Sequence, residues 1–269
     1  RSGVLLAQAL DPDNPIYTVA EYVQISGPLD VATFEKALRY VVDTTDALRV
    51  FFAEDDGHWQ AHVAAHVEWD LRVEDRRDVF EELVGAQQRP IDPTGECLFR
   101  FSLFRVDEER WLWFGHYHHA LLDGIGMTVV ERRCAEAYTE LVATGELPQW
   151  DDSDGSYAYL VAEEAQYRDS DLFTRDQEFW ANELEDAPEP VSIASRPPVM
   201  PSRLENTTVY LDATDFGAIQ ALAREAKVAW PVIITAAWAL LLGRLSGSCD
   251  VVLGLPVSCL LYTSDAADE

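Results

Sequence analysis

The sequence is short of positive charge, and of lysine in particular. It has 20 lysines and arginines against 48 aspartates and glutamates in 269 residues, which gives a formal net charge of −28. Lys36 and Lys227 are the only lysines. A surface this acidic repels phosphate backbones and anionic lipid headgroups. The charge balance therefore argues against nucleic acid and membrane surfaces as partners.

Cysteine and long apolar runs are also scarce. The four cysteines are far apart and form no CxxC pair, so neither a disulfide framework nor a zinc site is indicated. The longest apolar stretch, 228–242, is interrupted by Pro231 and Thr235 and is too short for a transmembrane helix. No signal-peptide pattern is present. These features predict a cytoplasmic protein that binds no metal ion.

The apolar periodicities that are present predict an α+β protein. Residues 19–25 alternate as a strand does, and Asp30 precedes a helix whose buried face carries Phe34, Leu38 and Val41. Further strands are predicted at 48–52, 58–63, 99–106 and 110–118, and further helices at 78–88, 127–143, 157–167 and 172–184.

A proline-rich segment, 186–204, contains five prolines and is typical of a linker. After it the pattern predicts a strand at 207–211, helices at 215–226 and 232–245, and a strand at 251–255. This order loosely repeats that of the first part, so we expect two related lobes, 1–185 and an incomplete 205–258. We interpret the abrupt ending CLLYTSDAADE, 259–269, as a non-native tail derived from a sequencing adapter.

One strand end concentrates histidine. Three of the six histidines, His116, His118 and His119, lie in GHYHHALLDGIG, residues 115–126. Neighbouring side chains of a strand point to opposite faces, so His118 and His119 are poorly placed to bind one metal ion together. We expect one ring to be buried and the other to face a cleft. Asp123 would bond the loop backbone or an arginine, and Gly124 would permit a conformation or close approach that a side chain forbids.

His118, His119, Asp123 and Gly124 together resemble the HHxxxDG signature of the condensation-domain superfamily of nonribosomal peptide synthetases. DALRVFF at 46–52 resembles the family's RHExLRTxF element, with Thr44 and Thr45 in place of its arginine-histidine pair. LLGRLSGSCDVVLGLPVS at 241–258 resembles the run into its GxPVxGR loop. The resemblance covers nearly all of residues 1–258, and the family's last third does not follow.

The resemblance implies a chloramphenicol-acetyltransferase-like fold of two lobes with a tunnel between them. It also implies amide formation, in which an acceptor aminoacyl amine attacks the thioester of a donor acyl or peptidyl group. Both groups are carried on the 4′-phosphopantetheine arms of upstream donor and downstream acceptor peptidyl carrier domains, beside an adenylation domain. No directly bound cofactor is implied.

In the resemblance, His119 matches the active-site position. Its imidazole would take the ammonium proton, or position the amine and stabilise charge, and the sequence leaves both roles open. His118 is expected to be structural. Asp123 is expected to pair with an arginine, either one just past Ser258 or Arg49.

Several other functions fit parts of the pattern. An epimerization domain shares the histidine motif, and a free-standing acyltransferase would use coenzyme A thioesters. A non-catalytic recruitment domain belongs to a different class, and degenerate motifs are usual there, whereas His119 and Asp123 are intact. The opening LDPDNPIYTVAEYV favours condensation. Because the tunnel needs both lobes, we expect the chain as given to be inactive by itself.

Overall fold

A computed structural model describes residues 2–55, 58–76, 78–150, 156–188, 191–194 and 209–255. Their contacts divide them into a first unit that ends at residue 166 and a second that begins at 167. The sequence placed the end of the first lobe at 185, so the last helix predicted for that lobe groups with the second unit instead. The tail at 259–269 and most of the predicted linker lie outside the described residues.

The described elements up to residue 168 are helices and strands in mixed order, with short 3₁₀ turns at Pro15–Tyr17 and Asp46–Arg49. The helices are α1 (Ser2–Leu10), α2 (Val31–Thr44), α3 (Phe80–Gln87), α4 (Gly124–Thr144) and α5 (Tyr157–Arg168). The strands are β1 (Thr18–Ser26), β2 (Val50–Asp55), β3 (His58–Val63), β4 (Leu71–Asp75), β5 (Phe99–Arg105) and β6 (Arg110–His118).

Four of these strands form a sheet in the order β1-β6-β5-β4, and β2 and β3 form a separate hairpin. β6 is antiparallel to both of its neighbours, whereas β4 is parallel to β5. Since β6 is an inner strand with helices on both faces, nearly all of its residues are buried. Its last residue, His118, lies opposite Thr18, the first residue of β1.

Both faces of β6 are covered by helices. On one face α2 and α4 pack over the sheet, where the Phe34 ring meets the Trp113 ring edge-on at 5.4 Å between centroids. On the other face α3 covers Phe114 and Phe104 in a smaller cluster. Gly115 allows α4 to approach closely, because a Cβ there would lie 3.1 Å from the Met127 side chain. The end of β6 is therefore held in place from two sides.

The strand and helix predictions for the first unit are largely confirmed, with two elements missed. α1 was missed, and so was β4, whose LRVED sequence mixes charged residues with a weak apolar alternation. α4 begins at Gly124, three residues before the predicted start, because the Asp123 side chain caps it. Apolar periodicity alone could not locate that start, since Gly124 and Gly126 carry no side chain.

The described part of the second unit is helical, with α6 (Asp171–Glu183), α7 (Ala213–Ala226) and α8 (Trp230–Ser246). α7 and α8 meet through Phe216 and Trp230, whose rings are 5.5 Å apart. The strand predicted at 251–255 is wrong, and 209–211 is not a strand either. A strand needs a neighbour for its backbone hydrogen bonds, and no described residue of this unit supplies one.

The described helices include no single one with both the length and the hydropathy to span a membrane; α7 and α8 pass that test only as a pair, bent by 98°.

Candidate active site

The histidine motif begins where β6 ends, and its backbone is bonded on both sides. The His118 N–H donates to the Leu98 carbonyl at 2.9 Å, and the His119 N–H donates to the Tyr17 carbonyl at 2.7 Å. The Leu121 N–H donates to the His118 carbonyl at 2.9 Å and closes the first turn after the strand. The two neighbouring histidines are thus tied to segments on opposite edges of the strand.

His118 is the buried member of the pair, with 0% of its surface exposed. Its Nδ1 accepts the Ala120 N–H at 3.0 Å, which assigns the proton of the neutral ring to Nε2. Burial, and then the charge on His119, lower the pKa of His118 to about 4. The ring is therefore neutral at pH 7 and holds the turn from inside, which is a structural arrangement.

His119 has the opposite environment. Its side chain is exposed, although Ala120 on one side and His118 on the other are buried. The first turns of α4 expose two apolar side chains, Ile125 and Val129. The His119 imidazole is thus exposed on a backbone that is fixed by a hydrogen bond. This geometry suits a group that accepts or positions a proton.

Asp123 begins α4. Its Oδ1 accepts the Gly126 N–H at 2.7 Å, which satisfies a helix N-terminal donor and places negative charge at the positive end of the helix dipole. Gly126 fits closely, because a Cβ there would lie 3.2 Å from that oxygen and 3.0 Å from Leu122. Gly124 has room for a side chain, because no atom of the described residues lies within 4 Å of a Cβ added there. Its φ is not positive. The close approach expected at Gly124 therefore occurs at Gly126.

Arg49 does not pair with Asp123. Its guanidinium bonds Asp46 at 2.7 Å and the Ala64 carbonyl at 2.6 Å. Asp46 in turn accepts the Tyr157 N–H at 3.1 Å. Arg49 is thus structural, because with Asp46 it links the β2–β3 hairpin to the start of α5. Its predicted pairing with Asp123 is wrong.

A polar group that the sequence reasoning missed lies just before the motif. The Tyr117 hydroxyl donates to Glu21 Oε1 at 2.6 Å, and its ring is fully buried. Burial and this bond raise the pKa of Tyr117. The pKa of Glu131 on α4 is also raised, by burial and then by Glu21. The one signal in the sequence was a glutamate within the otherwise apolar inward-facing positions of β1.

His116, which the sequence analysis left without a role, is a packing residue. It is 3% exposed, and burial followed by the charge of Arg100 lowers its pKa to about 4. The ring stacks near Phe114, with 6.2 Å between centroids. Within the described residues no three His, Cys, Asp or Glu side chains are grouped so as to hold a metal ion.

The mixed helices and sheets, together with the similarity to solved condensation domains, define an α+β protein of the chloramphenicol-acetyltransferase-like class. The Condensation domain profile matches residues 2–259. The chain therefore belongs to the condensation-domain family of nonribosomal peptide synthetases.

The relatives are long synthetases. The chain is 35% identical over 264 residues to a dimodular nonribosomal peptide synthase of Bacillus subtilis, covering 96% of the chain and 11% of that protein. It is 30% identical over 264 residues to enterobactin synthase component F of Escherichia coli, covering 94% of the chain and 20% of that protein. The chain is thus similar to one segment of each relative and spans a small part of it.

The similar solved structures are single condensation domains. A mutant starter condensation domain of rhizomide synthetase RzmA, in complex with C8-CoA and Leu-SNAC, superposes with a TM-score of 0.83 at 33% identity, covering 95% of this chain and 59% of that one. The first condensation domain of the calcium-dependent antibiotic synthetase, with a substrate analogue, gives 0.78 at 27% identity, covering 95% and 63%. The chain spans about three fifths of these domains.

Proposed function

We propose that the intact protein catalyses amide-bond formation between a donor acyl or peptidyl thioester and an aminoacyl acceptor, with His119 as the catalytic residue. The observation that carries the proposal is the contrast at the strand end: His118 is buried and neutral, whereas His119 presents an exposed ring from a bonded backbone. Both substrates would be carried on 4′-phosphopantetheine arms of peptidyl carrier domains next to an adenylation domain.

The reaction needs little from the protein beyond orientation and the handling of one proton. The acceptor nitrogen attacks the thioester carbonyl carbon, a C–N bond forms, and the C–S bond breaks to release the carrier thiol. The ammonium proton of the intermediate passes to the His119 imidazole, or His119 orients the amine while that proton leaves to the thiolate. General-base help of the first kind is worth roughly 10²–10⁴-fold in rate.

The donor that we favour is an acyl group without an α-amine. Several of the similar structures are starter condensation domains, and one of them holds C8-CoA with Leu-SNAC, a fatty acyl thioester beside a leucine thioester. The exposed apolar side chains Ile125 and Val129, on the first turns of the helix that follows the motif, would suit such a chain. A peptidyl donor is the competing outcome and is measured in the same assay.

The test is a His119→Ala substitution in the intact module with loaded carrier domains. Amide product on the acceptor carrier is measured by mass spectrometry, with acyl-loaded and aminoacyl-loaded donors in parallel. We expect kcat to fall by about 10²–10⁴-fold with substrate KM values nearly unchanged. The matched control is His66→Ala, an exposed histidine of the first unit away from the motif. Turnover by His119→Ala at the rate of the His66→Ala control would contradict the proposal.

A further inference from the structure

We propose that Gln8 is a positioning residue for His119, acting through the segment that joins α1 to β1. The proposal rests on the proposed function, in which the His119 ring must be presented to substrate. Gln8 touches no part of the histidine motif directly. Its effect passes through backbone carbonyls and one 3₁₀ turn.

Gln8 is a buried polar side chain, with 2% of its surface exposed. Its Nε2 donates to three backbone carbonyls, those of Asp11 at 3.1 Å, Pro12 at 3.0 Å and Asn14 at 3.0 Å. One amide nitrogen thus bonds three carbonyls within the four-residue segment 11–14. The bond to the Asn14 carbonyl is buried, and a buried carbonyl that loses its donor is costly. The path of the segment at Asn14 therefore depends on Gln8.

Asn14 passes this constraint to the next turn. It is 5% exposed, its Nδ2 donates to Asp11 Oδ2 at 3.0 Å, and its Oδ1 accepts the Ile16 N–H at 3.1 Å. The second bond caps the 3₁₀ turn Pro15–Tyr17. The turn ends in the Tyr17 carbonyl, so the direction of that carbonyl is set by Asn14 and, behind it, by Gln8.

The Tyr17 carbonyl is the acceptor for the His119 N–H at 2.7 Å. His119 lies one residue past the end of β6, beyond the paired positions of β1 and β6, which stop at Thr18 and His118. This hydrogen bond therefore connects the segment before β1 to the backbone of His119. A displacement of about 1 Å at a reacting group can reduce a rate by about 10²-fold.

The experiment uses Gln8→Glu, which keeps the shape of the side chain but replaces its NH₂ donor by a carboxylate. The matched control is Gln24→Glu, the same change at an exposed position of β1. Amide hydrogen exchange is followed by NMR in the 269-residue chain. We expect protection of the His119 amide to fall by about tenfold or more, while the amides of Leu103 and Trp113 in the sheet centre change by less than about twofold.

Kinetics in the intact module supply the second measurement. We expect Gln8→Glu to lower kcat by about tenfold with donor and acceptor KM values within about twofold, because geometry at His119 changes and the binding surfaces do not. Gln8→Met, which is apolar and of similar length, should have the same effect.

Three outcomes would overturn the proposal: unchanged protection at His119, an equal loss of protection at Leu103 and Trp113, or local loss of protection with unchanged kcat. Failure of the proposed function is recognised separately, because it would appear as normal turnover by His119→Ala. The exchange result does not depend on activity and still decides whether Gln8 holds the His119 backbone.

Discussion

At the residue scale, the neighbouring side chains of His118 and His119 differ in burial. Strand alternation sends neighbouring rings to opposite faces, and the packing on β6 buries one of them completely. Desolvation then keeps His118 neutral, while His119 stays exposed. The motif predicted a buried and an exposed ring. The resemblance assigned the structural role to His118 and the active-site position to His119, and in the structure His118 is buried and His119 is exposed.

The two buried histidines predict a pH dependence of stability. The pKa values of His116 and His118 are lowered from 6.5 to about 4, so between these values the unfolded chain binds more protons than the folded one. The stabilising contribution is complete above pH 6.5 and is lost as the pH falls toward 4. By pH 4.5 the loss for each histidine is about 2.5 kcal/mol, at roughly 1.4 kcal/mol per pKa unit.

The check is urea unfolding of His116→Gln at pH 7 and pH 4.5, with His66→Gln as the exposed control. We expect the loss of unfolding free energy between these pH values to be about 2.5 kcal/mol smaller in His116→Gln than in the control. Equal losses in the two variants would mean that His116 titrates normally in the folded protein.

At the scale of the element, α4 connects the motif to the core. The helix begins at Gly124 with Asp123 as its N-cap and then buries Met127 and Val130 against the sheet. The capping residue of the helix and the motif aspartate are the same residue. Helix formation and the shape of the turn after His119 therefore depend on one carboxylate.

Asp123→Ala should separate these two effects when it is compared with Asp30→Ala, the N-cap of α2, whose Oδ1 accepts the Thr33 N–H at 2.7 Å. Each variant should lose unfolding free energy because a helix N-cap is removed, and the loss is measured by urea denaturation. In the intact module only Asp123→Ala should lower kcat, because only that cap adjoins His119. Equal kcat values for both variants would show that the cap serves stability alone.

At the scale of the whole molecule, the chain covers about three fifths of the solved condensation domains that it resembles. α8 has no buried residue, and Trp238, Leu240 and Leu245 are each more than half exposed. An apolar helix of this kind normally packs against further structure.

We therefore expect the 269-residue chain alone to form no amide product with loaded carrier domains, and a chain extended to the full family length to form it. Product is measured by mass spectrometry of the acceptor carrier. His119→Ala in the extended chain is the negative control. Amide formation by the short chain above that control would show that the 269-residue chain suffices for catalysis.

Much of the first unit could be predicted from local pattern. The Asp30 cap and the spacing of Phe34, Leu38 and Val41 predict α2 correctly. The buried face of an amphipathic helix is visible in its sequence as apolar residues at three- and four-residue spacing. β4 was missed because a parallel edge strand is defined by its partner β5 more than by its own residues. The strand predicted at 251–255 does not form, because no described residue of the second unit pairs with it.

The sequence by itself determined the class of fold, the strand that ends in the histidines and the candidate catalytic residue, because periodicity, capping and a short motif are local properties of the chain. Only the tertiary structure decided that the Arg49 guanidinium bonds the Ala64 carbonyl, that the Tyr117 hydroxyl bonds Glu21, and that the His119 N–H bonds the Tyr17 carbonyl. These are contacts between segments far apart in sequence. They depend on where the sheet and helices bring those segments together, which no local pattern records.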